Sequence, residues 1–549
     1  MDAFTLEEEK LLSRFVSNMR GRVFVLQNLP EVIKGALFSR YSRSQKGLRR
    51  LLLDEFILAP ETGFSQIAAY AEESGISQTL AIKKAQEFYD RILDGYGDDS
   101  IGELGGAHVA LEGISNIATK FIQDRRIGGS PLEKSTRYVY FDDKVDSRWQ
   151  YCRATQLMGR ARSPGNNEHA QAYEQTCDTL FAAYSKLMPV MQEFFTKRYP
   201  KEEGVSEKAY AFTVRARACD ALRGLLPAST LTNMGVFGNG RFFEYLIACM
   251  RCSGLAEIES LAEELQQELD KTIPSFVRRC KPSHKHFPSL QQFLQQRERQ
   301  LKTQAAQATE SIAKATIAPS SLAAAPTVKL IESDKRAEEK IIAHALYQHT
   351  DLPLEALLQY ARRLPTTERN SIIAACVAGR ENRRHKPPRA FENVFYTFDI
   401  LADFGAYRDL HRHRMLTQER QLLTVEHGYV LPEEVVAAGV DKDFKAVMDT
   451  AARSFGRMSR MMPQEAQYVV PLAFRVRWYI TINLRSLFWF SELRSVPQGH
   501  PSYRKVAQDM WQQAAAIHPF LKDLPNSVDM NDYALGRLDE EKRKEKNRE

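Results

Sequence analysis

The chain has 549 residues, 43% of them hydrophobic and 26% charged, an ordinary globular composition that divides into two to four domains at about 100–200 residues each. Its formal net charge of +7, from 76 Lys and Arg against 69 Asp and Glu, tolerates anionic ligands without demanding nucleic acid, and the basic residues are scattered apart from the tail. Seven cysteines, an odd count, argue against a disulfide framework and for a reducing compartment, and no apolar run approaches the ~18 residues of a membrane helix.

The first residues, Met1-Asp2-Ala3-Phe4 and then Glu7-Glu8-Glu9, are acidic and unlike a signal peptide, so the expected location is cytoplasmic. Val23 to Leu26 reads as a short strand, as does Arg137 to Phe141. Leu255, Ile258, Leu261, Leu265 and Leu269 recur at helical spacing. The stretch 291–327 is rich in Gln, Ala, Ser and Thr and reads as a polar linker without a core of its own. Val328 to Ile331 reads as a strand, and Phe391, Val394, Phe395, Phe398 and Leu401 as one face of a helix. The tail from Leu538 is nearly all charged and reads as frayed helix or disorder. The expected class is α+β, helix-rich.

The two halves echo each other. Arg223-Gly224-Leu225-Leu226-Pro227 is followed by Asn239-Gly240-Arg241, and Gln467-Tyr468-Val469-Val470-Pro471 by Asn483-Leu484-Arg485. Pro precedes Asn by the same interval (239 − 227 = 483 − 471 = 12) and a helical stretch follows each time, as expected of a duplicated domain.

Three constellations could carry chemistry. Arg412-His413-Arg414 closes a predicted helix; two planar cations flanking an imidazole make a phosphate clamp, or a solvated basic helix end. Ser130-Pro131-Leu132-Glu133-Lys134-Ser135-Thr136-Arg137-Tyr138 follows Gly128-Gly129; it offers hydroxyls, a carboxylate, an Arg and a Tyr to a nucleotide, or is a polar turn. Asn483, Arg485 and Arg494 form a polar stripe among Leu487, Phe488, Phe490 and Leu493, since eleven residues are close to three helical turns. Weaker signals are a zinc set from Cys249, Cys252, Cys280, His284 and His286, a poor dinucleotide loop at Gly95-Tyr96-Gly97 that lacks its third glycine, and His385 in a basic loop.

Taken together, these residues resemble the flavin-dependent thymidylate synthases, whose signature is R-H-R-x-x-S-x-N-E-x-S-x-R-Y, followed later by Ala-Arg-x-x-Leu-Pro and an Asn-x-Arg helix ending in a further Arg. The second half resembles it at Phe391-Glu392, Arg412-His413-Arg414, Val470-Pro471, Asn483-x-Arg485 and Arg494. The first half resembles it at Glu103, Arg125-Arg126, Ser130, Glu133, Ser135, Arg137-Tyr138, Arg223 to Pro227 and Asn239-x-Arg241. Each half departs from the pattern. The second has Thr417, Glu419, Arg420, Leu422, Thr424 and Val425 where the family's substrate loop stands, and Gln467 for the Arg before Leu-Pro. The first has no His in its clamp, and Leu132 replaces an Asn. Two registers fit that clamp: Arg125, Arg126 and Ile127 on Arg-His-Arg, or a shift by one that keeps only Arg126. Arg251 lies one residue beyond the position of Arg494.

The resemblance implies two tandem thymidylate synthase-complementing-protein-like domains, at 1–290 and 328–525, with the linker 291–327 between them and a charged tail at 526–549. It implies FAD-dependent methylation of dUMP to dTMP, with methylenetetrahydrofolate and NADPH as co-substrates. The family's sites form where subunits of a homotetramer meet, so the complementary losses imply a composite site. In it, Ser135 and Arg137 are the expected catalytic residues, and Glu133, Tyr138, Gln123 and Arg494 the expected substrate contacts. Arg412, His413, Arg414, Asn483, Arg485, Glu392, Asn239, Arg241, Ser100 and Glu103 are the expected cofactor residues. A homodimer would rebuild a pseudo-tetramer with fewer than four working sites. Neither membrane nor nucleic acid is an expected partner. The competing expectation is a catalytically inactive paralogue that binds flavin or nucleotide in a regulatory role.

Overall fold

The computed structural model of the chain describes residues 4–42, 44–58, 102–142, 144–158, 167–314 and 327–546. Among the described residues, the short helices α1 (Leu6–Leu12) and α2 (Glu31–Tyr41) come before the first sheet. The elements of the first copy are β1 (Gly106–Ser115), α3 (Asn116–Gln123), β2 (Gly129–Glu133), α4 (Asn167–Arg198), α5 (Glu207–Leu222), β3 (Leu231–Asn239), α6 (Gly240–Met250) and α7 (Ala256–Leu269). After α8 (Phe287–Lys314) and β4 (Thr327–Ser333), three helices follow, α9 (Ala337–Tyr347), α10 (Leu354–Arg363) and α11 (Thr366–Ala375). The second copy then runs β5 (Phe395–Asp403), α12 (Phe404–Leu410), β6 (Leu416–Arg420), α13 (Asp441–Met458), β7 (Arg475–Asn483), α14 (Leu484–Arg494) and α15 (Pro501–Ile517), with α16 (Leu538–Lys546) in the tail. The described residues form a helix-rich α+β fold in which one sheet has the order β1-β3-β2 and the other β4-β5-β7-β6.

The repeat seen in the sequence is a repeat of register. Gly106 pairs with Asn239 in one sheet, and Phe395 with Asn483 in the other. Alternation drives Thr232, Met234 and Val236 inward from β3, and Val476, Trp478, Ile480 and Ile482 inward from β7. Each strand ends on an asparagine that caps the next helix, Asn239 accepting from the Phe242 amide at 2.9 Å and Asn483 from the Ser486 amide at 2.8 Å. Ser115 and Asp403 are likewise equivalent, pairing with Leu231 and Arg475 and capping α3 and α12. The extra residue in β1 is absorbed by a bulge between Leu111 and Ile114, where Gly113 takes φ 64°.

The copies meet about a local twofold. Pro227 and Pro471, equivalent by the twelve-residue count, form an antiparallel bridge with each other. Around it Ala228 N donates to Val470 O, and Leu472 N to Leu226 O, both at 2.9 Å. When equivalent segments pair antiparallel, a twofold axis passes between them. Helix α4 packs on α13 beside this seam. Below it, the buried Glu257 carboxylate accepts from Ser115 Oγ at 2.6 Å and from Tyr468 Oη of the other copy at 2.7 Å.

Several expectations are corrected. Phe395, Phe398 and Leu401 lie on strand β5 and Phe391 in a short 3-10 helix (Arg389–Asn393) before it, with Val394 between the two, so the five residues do not share one helix face. The C-terminal half of β5 is buried on both faces, so its apolar run lost the alternation that marks a strand. Arg137 to Phe141 forms a turn, because Arg137 is held by side chains outside any sheet, and of Val23 to Leu26 only Leu26 makes a bridge, to Val16. Within the expected linker, residues up to Lys314 continue helix α8, because Gln, Ala, Lys, Arg and Glu are strong helix formers even on a largely exposed helix. In the tail, α16 begins at the buried Leu538 and packs on α5. Among the described residues, no helix is long and apolar enough to cross a membrane.

Candidate functional site

Counting from the equivalent caps, Arg408 lies at the position of Lys120 (408 − 403 = 120 − 115 = 5), and Arg412, His413 and Arg414 at those of Asp124, Arg125 and Arg126. The clamp of the first copy is thus Asp124-Arg125-Arg126, in which only Arg126 matches Arg-His-Arg, with the extra residue falling before β2. It makes the two interfaces about the twofold chemically unequal.

At one interface, the loop after β2 faces the end of α12. Glu133 Oε2 accepts from Lys120 Nζ at 2.5 Å, and Glu133 Oε1 from Arg408 Nη2 of the other copy at 2.7 Å. Gln123 Nε2 adds a contact at 3.2 Å. Burial opposes the charge on Glu133, yet the two cations hold it well below the usual carboxylate range. Burial also pushes Lys120 down to about 8, against the pull of Glu133. Beside them Asp409 bridges the copies, its Oδ2 accepting from Arg223 Nη1 and its Oδ1 from Arg412 Nη2, each at 2.9 Å. Burial works against the Asp409 charge as well, and Arg223 and Arg412 outweigh it. Behind Arg412, Arg494 Nε donates to His413 Nε2 at 2.9 Å. Burial pushes Arg494 down to about 10, and burial first and the adjacent arginines second hold His413 neutral.

These groups line one narrow crevice between the copies, walled by Glu133, Ser135, Arg137, Arg223, Asp409 and Arg412, with an interior of about 30 Å³. That is room for about one water. Arg137 uses four of its five guanidinium N–H groups in its wall. Nε and Nη2 grip Asp220 at 2.8 Å each, Nη1 donates to Tyr503 Oη at 3.0 Å, and Nη2 also reaches Gln498 O at 3.1 Å. The expected catalytic Arg137 is thus held by a buried pair, with one N–H of Nη1 left over in this conformation. Ser135 Oγ accepts from the Arg137 amide at 3.2 Å. Tyr138 is 40% exposed under the Arg537 guanidinium rather than in the crevice. Gln123 serves Glu133, and Arg414 Nη1 ties the copies together through Gly129 O at 2.9 Å and Ser130 Oγ at 2.5 Å.

The equivalent interface has inverted its polarity. Arg420 stands where Glu133 would be (420 − 416 = 133 − 129 = 4), and Gln467 where Arg223 would be. Gln467 accepts from Arg420 Nη1 at 3.1 Å, and the half-buried Asp124 replaces Arg412. Arg251 is turned away to pair with Glu263. Among the described residues, Arg223 and Arg412 of the crevice are therefore not repeated as arginines at the equivalent positions across the twofold.

The remaining candidates lie elsewhere. Glu103, Asn239 and Arg241 line a cavity of about 850 Å³ in the first copy, together with Arg125, Arg126 and Tyr245. Arg241 Nη1 pairs with Glu103 at 2.7 Å. The same pair recurs at the start of α14, where Arg485 donates to Glu392 at 2.6 Å and to Pro387 O at 2.7 Å. Asn483, Arg485 and Glu392 line neither the crevice nor that cavity. Ser100 and Gly95 to Gly97 lie outside the described residues. His385 is exposed in its loop, and Cys280 Sγ is bonded to Gln266. Among the described residues no group of His, Cys, Asp and Glu could hold a metal ion. Sequence reasoning missed Lys120, Asp220, Arg408, Asp409 and Tyr503. The signal for two of them was spacing, since Arg408 and Asp409 precede Arg412 by one helical turn.

A family model described as thymidylate synthase complementing protein matches residues 59–275 and again residues 329–520. A UPF0159 protein of Chlamydia pneumoniae is 45% identical over 544 residues, 99% of this chain and 98% of its own. A flavin-dependent thymidylate synthase of Aeropyrum pernix is 25% identical over 190 residues, 34% of this chain and 55% of its own. A solved UMP/dUMP methylase of Streptomyces cacaoi covers 37% of this chain and 97% of its own, with 19% identity and a TM-score of 0.29. With both copies matched over most of their length, the chain belongs to the thymidylate synthase complementing protein family.

Proposed function

We propose that the chain is a flavin-dependent thymidylate synthase-like enzyme that methylates dUMP to dTMP at one composite site per chain. The observation that carries this reading is the crevice itself, where Arg137 and Arg223 of the first copy and Arg412 of the second line one space, with Arg494 directly behind. Fixed cations there would hold a nucleotide phosphate and stabilise charge developing on a base. Ser135 and Arg137 would orient the uracil, and admission of the substrate requires the crevice to widen.

For the cofactor, the first-copy cavity fits better than the start of α14. Its volume of about 850 Å³ suits a large ligand, and Arg125 Nε is buried in its wall with no acceptor. Arg125, Arg126, Arg241 and the N-terminus of α6 would hold the anionic part of FAD. Bound there, a flavin supplies hydride transfer, while methylenetetrahydrofolate supplies the carbon and NADPH the reducing equivalents. The residues of this chain contribute binding, orientation and exclusion of water. Because both halves of the crevice come from one chain, it needs no second subunit. A homodimer is a separate proposal, tested by light scattering.

The test is the absorbance spectrum of the purified protein with added FAD, followed by dTMP formation from dUMP with methylenetetrahydrofolate and NADPH. The expected result is a yellow protein with turnover that Arg412→Ala abolishes. A protein that takes up no FAD ends this reading. A second reading, a regulatory nucleotide binder without turnover, is favoured by the hold that Asp220, Tyr503 and Gln498 O have on Arg137. It requires calorimetric binding of dUMP with no dTMP formed.

A further inference from the structure

Asp409 is placed where a ligand's anion would sit. Its two oxygens each take one arginine, Arg223 from the first copy and Arg412 from the second, both at 2.9 Å. Each of those arginines has this carboxylate as its ion-pair partner, and Arg494 behind them has the neutral His413 instead. Within ion-pair distance Asp409 is thus the carboxylate that Arg223 and Arg412 share, with the buried Asp403 as a second acidic group near Arg223. Arg223 is only 4% exposed, and its Nη2 is buried without an acceptor. A carboxylate has no third oxygen to give it. The helix does not need an acid at this position either, because its equivalent in the first copy is Phe121 (409 − 403 = 121 − 115 = 6).

A phosphomonoester carries about −1.5 to −2 charge at neutral pH and three acceptor oxygens, so it matches what Asp409 leaves unmet. We infer that Asp409 is a built-in stand-in for the ligand's phosphate, and that the crevice selects a phosphomonoester dianion by exchanging it for this carboxylate. The inference rests on the nucleotide reading of the crevice and names how that site chooses its ligand. On entry, Arg223 and Arg412 transfer their hydrogen bonds from Asp409 to phosphate oxygens, Arg223 Nη2 gains the third, and the released carboxylate turns to solvent. No bond is made or broken. Nucleosides, lacking the dianion, do not displace it.

The experiment is isothermal titration of the full chain with inorganic phosphate, with dUMP and with deoxyuridine, for the wild type and Asp409→Asn. Phosphate and dUMP should bind the variant about tenfold more tightly or better, with deoxyuridine unchanged. Unchanged or weaker phosphate binding overturns the inference, as does equal tightening for deoxyuridine. Asp399→Asn is the control for net charge, because Asp399 pairs with Arg477 on the second sheet. If it tightens phosphate equally, the inference also falls. Should Asp409→Asn be poorly stable, phosphate must raise its Tm more than that of the wild type, and no such rescue overturns the idea. These readouts need neither flavin nor turnover. Tighter phosphate binding without dTMP formation would refute only the methylation reading.

Discussion

Lys120 gives the sharpest thermodynamic test of the joint between the copies. Its ammonium is 0% exposed and lies 2.5 Å from Glu133, with Arg408 on the other side of that carboxylate. Burial lowers it from 10.5 to about 8. The sign follows from linkage. Between pH 8 and 10.5 the unfolded chain keeps a proton that the folded chain has released, so stability rises with pH across that window. The span from 10.5 to about 8, at about 1.4 kcal/mol per pH unit, amounts to about 3 kcal/mol. Lys120→Met removes this titration and leaves Glu133 bonded to Arg408 and Gln123. The assay is urea unfolding of both proteins in parallel from pH 7.5 to 10.5. Buried tyrosines such as Tyr396, pushed up by burial, titrate in both and cancel in the difference. The wild type should gain about 3 kcal/mol relative to the variant as pH rises. A flat difference would mean that Glu133 fully offsets the burial, and a falling one that it more than offsets it. Either refutes the reasoning.

Three further outcomes follow from the same contacts. Tyr468→Phe removes one of the donors to Glu257 and should cost about 1–3 kcal/mol in urea melts, because the acceptor stays buried. Asn239→Ala and Asn483→Ala should each cost about 1 kcal/mol by thermal unfolding, and a loss in only one would contradict their equivalence as caps. Gly405→Ala would put a Cβ 2.9 Å from Asp403 Oδ1 and 3.1 Å from Arg223 Nη2. It should displace Arg223 and weaken dUMP binding by calorimetry with the circular dichroism unchanged; wild-type affinity would show that Arg223 does not hold the ligand.

Much of the fold was legible because local rules governed it. The twelve-residue interval from Pro227 to Asn239, and from Pro471 to Asn483, marks a strand and its helix cap, and both turned out to be real. The helical spacing of Leu255 to Leu269 was right because one face of α7 is buried. The spacing of Phe391 to Leu401 misled, because a strand buried on both faces shows no alternation. Tyr138 and Asn483 sat in the expected motifs, yet one packs under Arg537 and the other caps a helix.

By itself the sequence determined the duplication, the family resemblance and the complementary damage to the two copies, since each is carried by residues close together in the chain. Only the tertiary structure decided that Glu133 meets Arg408 across 275 residues, that Asp220 occupies Arg137, and that Asp409 joins Arg223 to Arg412. The reason is physical. Buried charges must find opposite charges wherever the twofold packing of the copies brings them together, and a linear pattern records which charges exist but not which of them meet.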